Sequence, residues 1–153
     1  MDDKHFLQKA IEKARESLAQ GGFPAGAIIV KEGKIIGEGV SLGYKVNDPT
    51  GHGEIVSIRM ACANLKTADL SGAIFYTSMQ PCLMCLGASV WSNISRIVFA
   101  CAKDRVVDDY YGGHYDPAQI NLELSRPIEM VHMKEFEEES LSVVREWEKN
   151  NHL

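Results

Sequence analysis

No stretch of this 153-residue chain approaches the roughly 20 consecutive apolar residues that a membrane-spanning helix requires. Its first residues, Met1-Asp2-Asp3-Lys4-His5, are polar and acidic and carry no hydrophobic export core, so no membrane association and a cytoplasmic setting are expected. Internal repeats, low-complexity tracts and Pro/Ser-rich linkers are also missing, and the sequence reads as one domain over 1–153. A basic footprint is absent too. The net charge is −5, and the final stretch sets Glu135, Glu137, Glu138, Glu139, Glu146 and Glu148 against only Lys134, Arg145 and Lys149. Proteins that hold nucleic acid draw much of their affinity from neutralising phosphates, so a nucleic-acid partner is disfavoured. Cysteine is sparse. Cys82 and Cys85 stand at metal spacing while Cys62 and Cys101 lie in apolar stretches, which fits a reducing compartment better than a disulfide framework.

What the chain does have is 45% apolar residues, enough for a proper core. Leu7, Ile11, Ala14 and Leu18 recur at helical spacing and Gly21-Gly22 stops the run, predicting a helix over 4–20. Ala25 to Val30 is unbroken apolar sequence of strand length, as for a strand covered on both faces. A tight turn at Lys31-Glu32-Gly33-Lys34 returns the chain as an antiparallel strand from Ile35 to Val40. Asn47-Asp48-Pro49-Thr50-Gly51 is turn chemistry leading into a helix over 53–64. Further strands are predicted at 74–77, 97–100 and 127–131, with helices from Cys82 to Trp91 and over 134–149. Phe136, Val143, Val144 and Trp147 form the inner stripe of the last helix, and residues 103–120 make a long polar and aromatic loop with room for one short helix. An opening hairpin followed by alternating strands and helices implies an α/β fold, a three-layer α/β/α sandwich around a mixed five-stranded sheet.

Two short motifs carry chemistry: His52-Gly53-Glu54 and Pro81-Cys82-Leu83-Met84-Cys85. Cys82 and Cys85, three apart on a helix, point the same way and can share one metal. At a helix N-terminus the free N–H groups and the positive dipole end favour thiolate, the ligating form. His52, at the start of another helix, supplies a third ligand. Three protein ligands with one open position mark a catalytic zinc rather than a structural one, and such a zinc lowers the pKa of bound water to about 7. Glu54 is placed to collect the water proton and pass it on, so hydrolytic loss of ammonia is the natural reading. A structural zinc ribbon would want a fourth protein ligand, and the sequence has no second C-x-x-C or paired His. A redox C-x-x-C is disfavoured by Pro81 and by the metal-competent histidine. Elsewhere the plain readings hold: Cys62, Cys101, Trp91 and Trp147 as core, His5, His132 and His152 as surface, and Glu135–Glu139 as a solvated helix face.

These motifs, in this order, resemble the cytidine deaminase-like superfamily, whose zinc-dependent base deaminases carry H-x-E…P-C-x-x-C. The likeness runs from the first helix to the last. Gly21-Gly22-Phe23-Pro24-Ala25-Gly26-Ala27 resembles the first-strand entry of the branch holding guanine deaminase, fungal-type cytosine deaminase and bacterial tRNA adenosine deaminase. Residues 47–54 and Ile58-Arg59-Met60-Ala61-Cys62 look most like guanine deaminase, and Tyr76 through Ala88 completes the match. The resemblance implies one Zn²⁺ per subunit on His52, Cys82 and Cys85, with Glu54 as the catalytic proton carrier. It also implies a homo-oligomer, a homodimer first, with pockets near subunit interfaces.

Three positions depart from that branch. Ser41 stands where an asparagine usually holds a base carbonyl or the sugar, Ala25 where guanine deaminases tend to carry phenylalanine, and Gln80 where an acidic residue often precedes Pro-Cys. The first two changes shrink side chains and leave room for a larger or differently shaped substrate. In the 103–118 loop, Asp104, Asp108 and Asp109 are acceptors suited to an amidine or guanidine edge. Tyr110, Tyr111 and Tyr115 are suited to stacking, and His114 to a base-edge contact. Ala25, Ser41, Asp108, Asp109, Tyr110 and His114 are thus the expected substrate contacts. The expected activity is removal of an exocyclic amine from a free nucleobase or related heterocycle, guanine-like first, cytosine- or pterin-like next. Adenosine editing in tRNA is the alternative. A non-catalytic zinc-binding scaffold is a further one, against which Glu54 counts because metal binding does not need it.

Overall fold

The computed structural model describes residues 2–153, so Met1 of the expected domain lies outside the described residues. Its helices are α1 (Asp3–Ala19), α2 (Gly53–Leu65), α3 (Leu83–Trp91), α4 (Pro117–Leu122) and α5 (Glu137–Asn150). Its strands are β1 (Phe23–Lys31), β2 (Lys34–Ser41), β3 (Ile74–Met79), β4 (Arg96–Cys101) and β5 (Glu129–His132), and short 3₁₀ turns occupy Gly43–Lys45, Lys103–Arg105, Asp108–Tyr111 and Lys134–Phe136. The strands make one sheet in the order β2-β1-β3-β4-β5. β1 is antiparallel to both its neighbours, whereas β3, β4 and β5 run parallel. This is the expected three-layer sandwich on a mixed five-stranded sheet.

Because side chains alternate along a strand, the pleat sorts the core into two layers. Ile28, Val30, Tyr76 and Val98 face α1 and α5, where they meet Leu7, Ile11, Ala14 and Val143. Ala27, Ile29, Phe75 and Ile97 face the other way, onto Ala61 of α2 and Leu86 of α3. Residues on both parities of β1 are therefore apolar, as a strand covered on two sides demands. α2 lies unusually close to β2: a methyl group on Gly37 or Gly39 would overlap the Ser57 or Gly53 carbonyl oxygen. Glycine at these two positions lets the start of α2 settle on the sheet.

The antiparallel β1 decides where the ends meet. The start of β1 and the end of β2 lie together, with Phe23 opposite Ser41. The ends of β3 and β4 arrive at the same edge, where Ala25, Met79, Cys101 and Tyr111 pack with Leu141 and Val144 of α5. α2 and α3 both begin from this edge.

Some details differ from the sequence reading. Trp91 is 87% exposed rather than in the core. Cys85, Leu86 and Ser89 define the buried face of α3, and Trp91, two residues beyond Ser89, falls on the opposite side. Glu137 is not part of a solvated face. It is buried and accepts from the Ala102 N–H and from Arg105 and His132. His132 is correspondingly half-buried, stacked on Phe99 at 4.8 Å. Among the described residues, no helix is long and apolar enough to cross a membrane.

α1 is fastened to the sheet by Asp3, whose carboxylate takes Arg96 Nη1 and Nη2 at 3.0 and 2.7 Å and the Tyr76 hydroxyl at 2.7 Å. The Arg96 hydrogen bonds hold the Asp3 pKa below the ordinary carboxylate value, against the opposing effect of burial. A lowered pKa means this contribution is present above the unfolded-state value of about 3.9 and is lost as pH falls through the folded-state one. Asp3→Ala is expected to cost about 1–2 kcal/mol in urea denaturation at pH 7. The difference from the parent protein should shrink at pH 3, and an unchanged gap there would exclude this origin.

Candidate metal centre and active site

His52 is the N-cap of α2 and Cys82 the N-cap of α3, both in extended backbone just before the helical turn. Cys85 follows within the first turn of α3. Each ligand thus sits where backbone N–H groups lack intrahelical partners and the dipole is positive, which favours thiolate. The His52 Nδ1 atom lies 3.6 Å from Cys82 Sγ and 3.6 Å from Cys85 Sγ. Zinc bonds of about 2.3 Å to sulfur and about 2.0–2.1 Å to nitrogen, at a tetrahedral angle, separate N from S by about 3.6 Å. The donor set fits a zinc ion, with Nδ1 as the ligating nitrogen. Among the described residues these are the ones whose ligand atoms gather within 4.8 Å.

The electrostatics agree. The Cys82 pKa is pushed far down, first by the hydrogen bond from the Cys85 thiol and also by His52, with burial opposing. Cys85 is pushed up by the same contact, so the pair shares one proton until a cation displaces it. His52 is raised, chiefly by its contact with Cys82, with burial opposing. Glu54, 6% exposed in the first turn of α2, is raised to about 7, above all by burial. A cation on the three ligands would draw Glu54 back down.

A cavity of about 290 Å³ opens onto His52, Glu54 and Cys82. Ala25 and Ser41 line it, as do Asp109 and Tyr110. Ser41 is also structural, because its Oγ accepts from the Gly53 N–H at 2.9 Å at the start of α2. Asp109 stands at the wall with no side-chain partner for its carboxylate among the described residues. Asp108 and His114 go elsewhere. Successive residues of the Asp108–Tyr111 turn point in different directions, so Asp108 pairs with Lys103 at 2.7 Å and with His114 at 2.7 Å, and neither Asp108 nor His114 lines the cavity.

Of the far wall, the sequence marks Tyr110 as a stacking side chain but not the rings it packs against. Phe23, Tyr110 and Trp147 pack mutually edge to face, with ring centroids 5.1–5.6 Å apart and planes 70–84°. The Tyr110 hydroxyl donates to Glu148 at 2.6 Å, tying the loop to α5. Three elements distant in sequence supply these rings. The local signs are Tyr110 in the 103–118 loop and Trp147 on the inner stripe of the last helix.

A family model for the cytidine and deoxycytidylate deaminase zinc-binding region matches residues 1–101, ending where β4 ends. The chain belongs to this family. Among relatives of this deaminase domain is the tRNA-specific adenosine deaminase of Aquifex aeolicus, 37% identical over 74% of this chain and 72% of that protein. Another is the guanine deaminase of Bacillus subtilis, 38% identical over 84% of this chain and 81% of that one. A solved structure of guanine deaminase from Bacillus subtilis superimposes with a TM-score of 0.68 at 35% identity, covering 97% of this chain and 95% of the other. One of NE0047 in complex with 2,6-diaminopurine gives 0.85 at 25% identity, over 97% and 82%.

With three donors on two helix starts, removal of one thiolate should release the metal. Cys82→Ala and Cys85→Ala are each expected to lose zinc on dialysis against a chelator, by elemental analysis, while Cys62→Ala retains it. Zinc retained by both ligand variants would refute this assignment.

Proposed function

We propose that this protein is a zinc-dependent aminohydrolase of free nucleobases, with a guanine-like ring as its first substrate, cytosine- and pterin-like rings next, and one zinc ion per subunit. The observation that carries the reading is the cavity, about 290 Å³ and walled by three interlocked aromatic rings beside Glu54 and the metal ligands. Pockets for drug-sized ligands begin near 300 Å³. This one suits a planar heterocycle of one or two rings.

Zinc, when bound, supplies a water acidified to near neutrality. The chain's own groups do the rest. Glu54 takes one proton from the attacking water as the water oxygen bonds to the amine-bearing carbon, and passes it to the ring nitrogen. It then moves the second proton from the new hydroxyl to the amine, so the C–N bond breaks, ammonia leaves and a carbonyl remains. Asp109 accepts from the amidine or guanidine edge of the base. Ser41 keeps its O–H free to donate, since its oxygen already receives the Gly53 N–H. Ala25 leaves the floor open, and the Phe23, Tyr110 and Trp147 rings pack against the heterocycle. A cytoplasmic homodimer belongs to this proposal through the family likeness alone.

Adenosine in tRNA is the second reading, favoured by the Aquifex aeolicus relative. The net charge of −5 weighs against it, and Lys45 at the cavity already donates to the Gln20 carbonyl at 2.6 Å. Ammonia release by zinc-loaded protein, compared across guanine, cytosine, adenine, pterins, nucleosides and a tRNA anticodon stem, separates the two. The highest kcat/KM is expected with guanine, and turnover confined to the tRNA stem would replace the first reading with the second. Glu54→Ala should keep its zinc and lose about 10²–10⁴ of kcat. If more than a tenth of the activity survives, the proton carrier is another group. Trp147→Ala is expected to raise KM for the base about tenfold with a smaller change in kcat. An unchanged KM would remove the aromatic wall from substrate binding.

A further inference from the structure

The loop after β4 buries a cation that the reaction does not use. Lys103 is 6% exposed, its Nζ 2.7 Å from Asp108 Oδ1. The same ammonium lies over the rings of Tyr111 and Tyr115, 5.4 and 5.1 Å from their centroids. The two hydroxyls reach the backbone on either side of Cys82. Tyr111 donates to the Gln80 carbonyl at 2.7 Å, and Tyr115 accepts from the Leu83 N–H at 2.8 Å. A third bond runs from the Lys103 N–H to Gln80 Oε1 at 2.9 Å. One short segment therefore grips the peptide before and after a metal ligand, with the ammonium drawing both rings inward.

We propose that Lys103, Tyr111 and Tyr115 form a positioning clamp that fixes where the Cys82 thiolate points within the metal site. A buried ammonium is costly unless paired, and here its partners are the two rings and a carboxylate. The hydroxyls are oriented by packing, and they in turn hold Gln80 and Leu83. Cys82 precedes the first helical residue with its carbonyl held by the Leu86 N–H at 2.8 Å, and the clamp adds fixed points at Gln80 and Leu83 on either side of it. Outer partners of this kind commonly alter metal affinity by about 10–100-fold when removed. The inference uses the ligand set alone and holds whatever base the pocket accepts.

Zinc transfer from loaded protein to a chromophoric chelator, and the ligand-field bands of the cobalt-substituted protein, test it without a substrate. Tyr111→Phe and Tyr115→Phe each delete one oxygen. Each is expected to release zinc about tenfold faster and the double variant about a hundredfold, with shifted cobalt bands and no comparable loss of thermal stability in the metal-free protein. Lys103→Met should behave like a single variant, and Lys103→Arg, which keeps a cation over the rings, should stay within a few-fold of the parent. If Lys103→Met does not fold, the tyrosine pair still decides. A double variant with the parent's release rate and unchanged cobalt bands overturns the clamp. So does faster release that only tracks a fall in thermal stability.

Discussion

An imidazole and two thiols come within metal-binding distance because α2 and α3 begin side by side at one edge of the sheet. That coincidence of starts depends on β1 running antiparallel to β3, which carries the end of β2 to the edge where β3 and β4 also finish. Both following helices then launch from the same place, with positive dipole ends and unsatisfied N–H groups converging on one point. The bare backbone at Gly37 and Gly39 allows α2 to come close enough for His52 and Glu54 to share that point with α3. Negative ligands are thus gathered where the backbone field most favours them, and Glu54 is buried beside them.

The chemistry was legible because it is local. His52-Gly53-Glu54 and Pro81-Cys82-Leu83-Met84-Cys85 are contiguous, and a helix start imposes the same geometry on them in any fold. The layered sheet was legible for a related reason: two-sided burial of β1 writes an unbroken apolar run, and helical faces write theirs at three- and four-residue spacing. The pocket wall was legible only in single residues such as Tyr110, and the packing that joins them was not. Phe23, Tyr110 and Trp147 come from a strand, a loop and the last helix, and only the packed fold brings their rings together. Asp108 and Asp109 are alike in sequence, yet one turn of 3₁₀ backbone sends the first to Lys103 and leaves the second at the cavity. Glu137 and His132 looked like surface charges because their partners, Arg105 and the Ala100 and Ala102 backbone, are distant or carry no side-chain signature.

Acidity shapes the protein twice. Across the whole molecule it gives a net charge of −5. Within the centre, the Cys82 thiolate, the Cys85 thiol that shares its proton and the buried Glu54 offer a divalent cation a site whose filling displaces protons, so metal binding is linked to pH. The loop after β4 reaches two places: Asp109, Tyr110 and Tyr111 line the cavity, and the hydroxyls of Tyr111 and Tyr115 bond the backbone on either side of Cys82.

The bond between Tyr110 and Glu148 fastens the loop to the final helix, both of them beyond the residues 1–101 that the family model matches. Two of the three rings of the aromatic wall therefore lie beyond that match, while Phe23, His52, Glu54, Cys82 and Cys85 lie within it. A change at Tyr110 takes a partner from both Trp147 and Glu148, so replacements in the loop and in the last helix are physically coupled and their effects will not add.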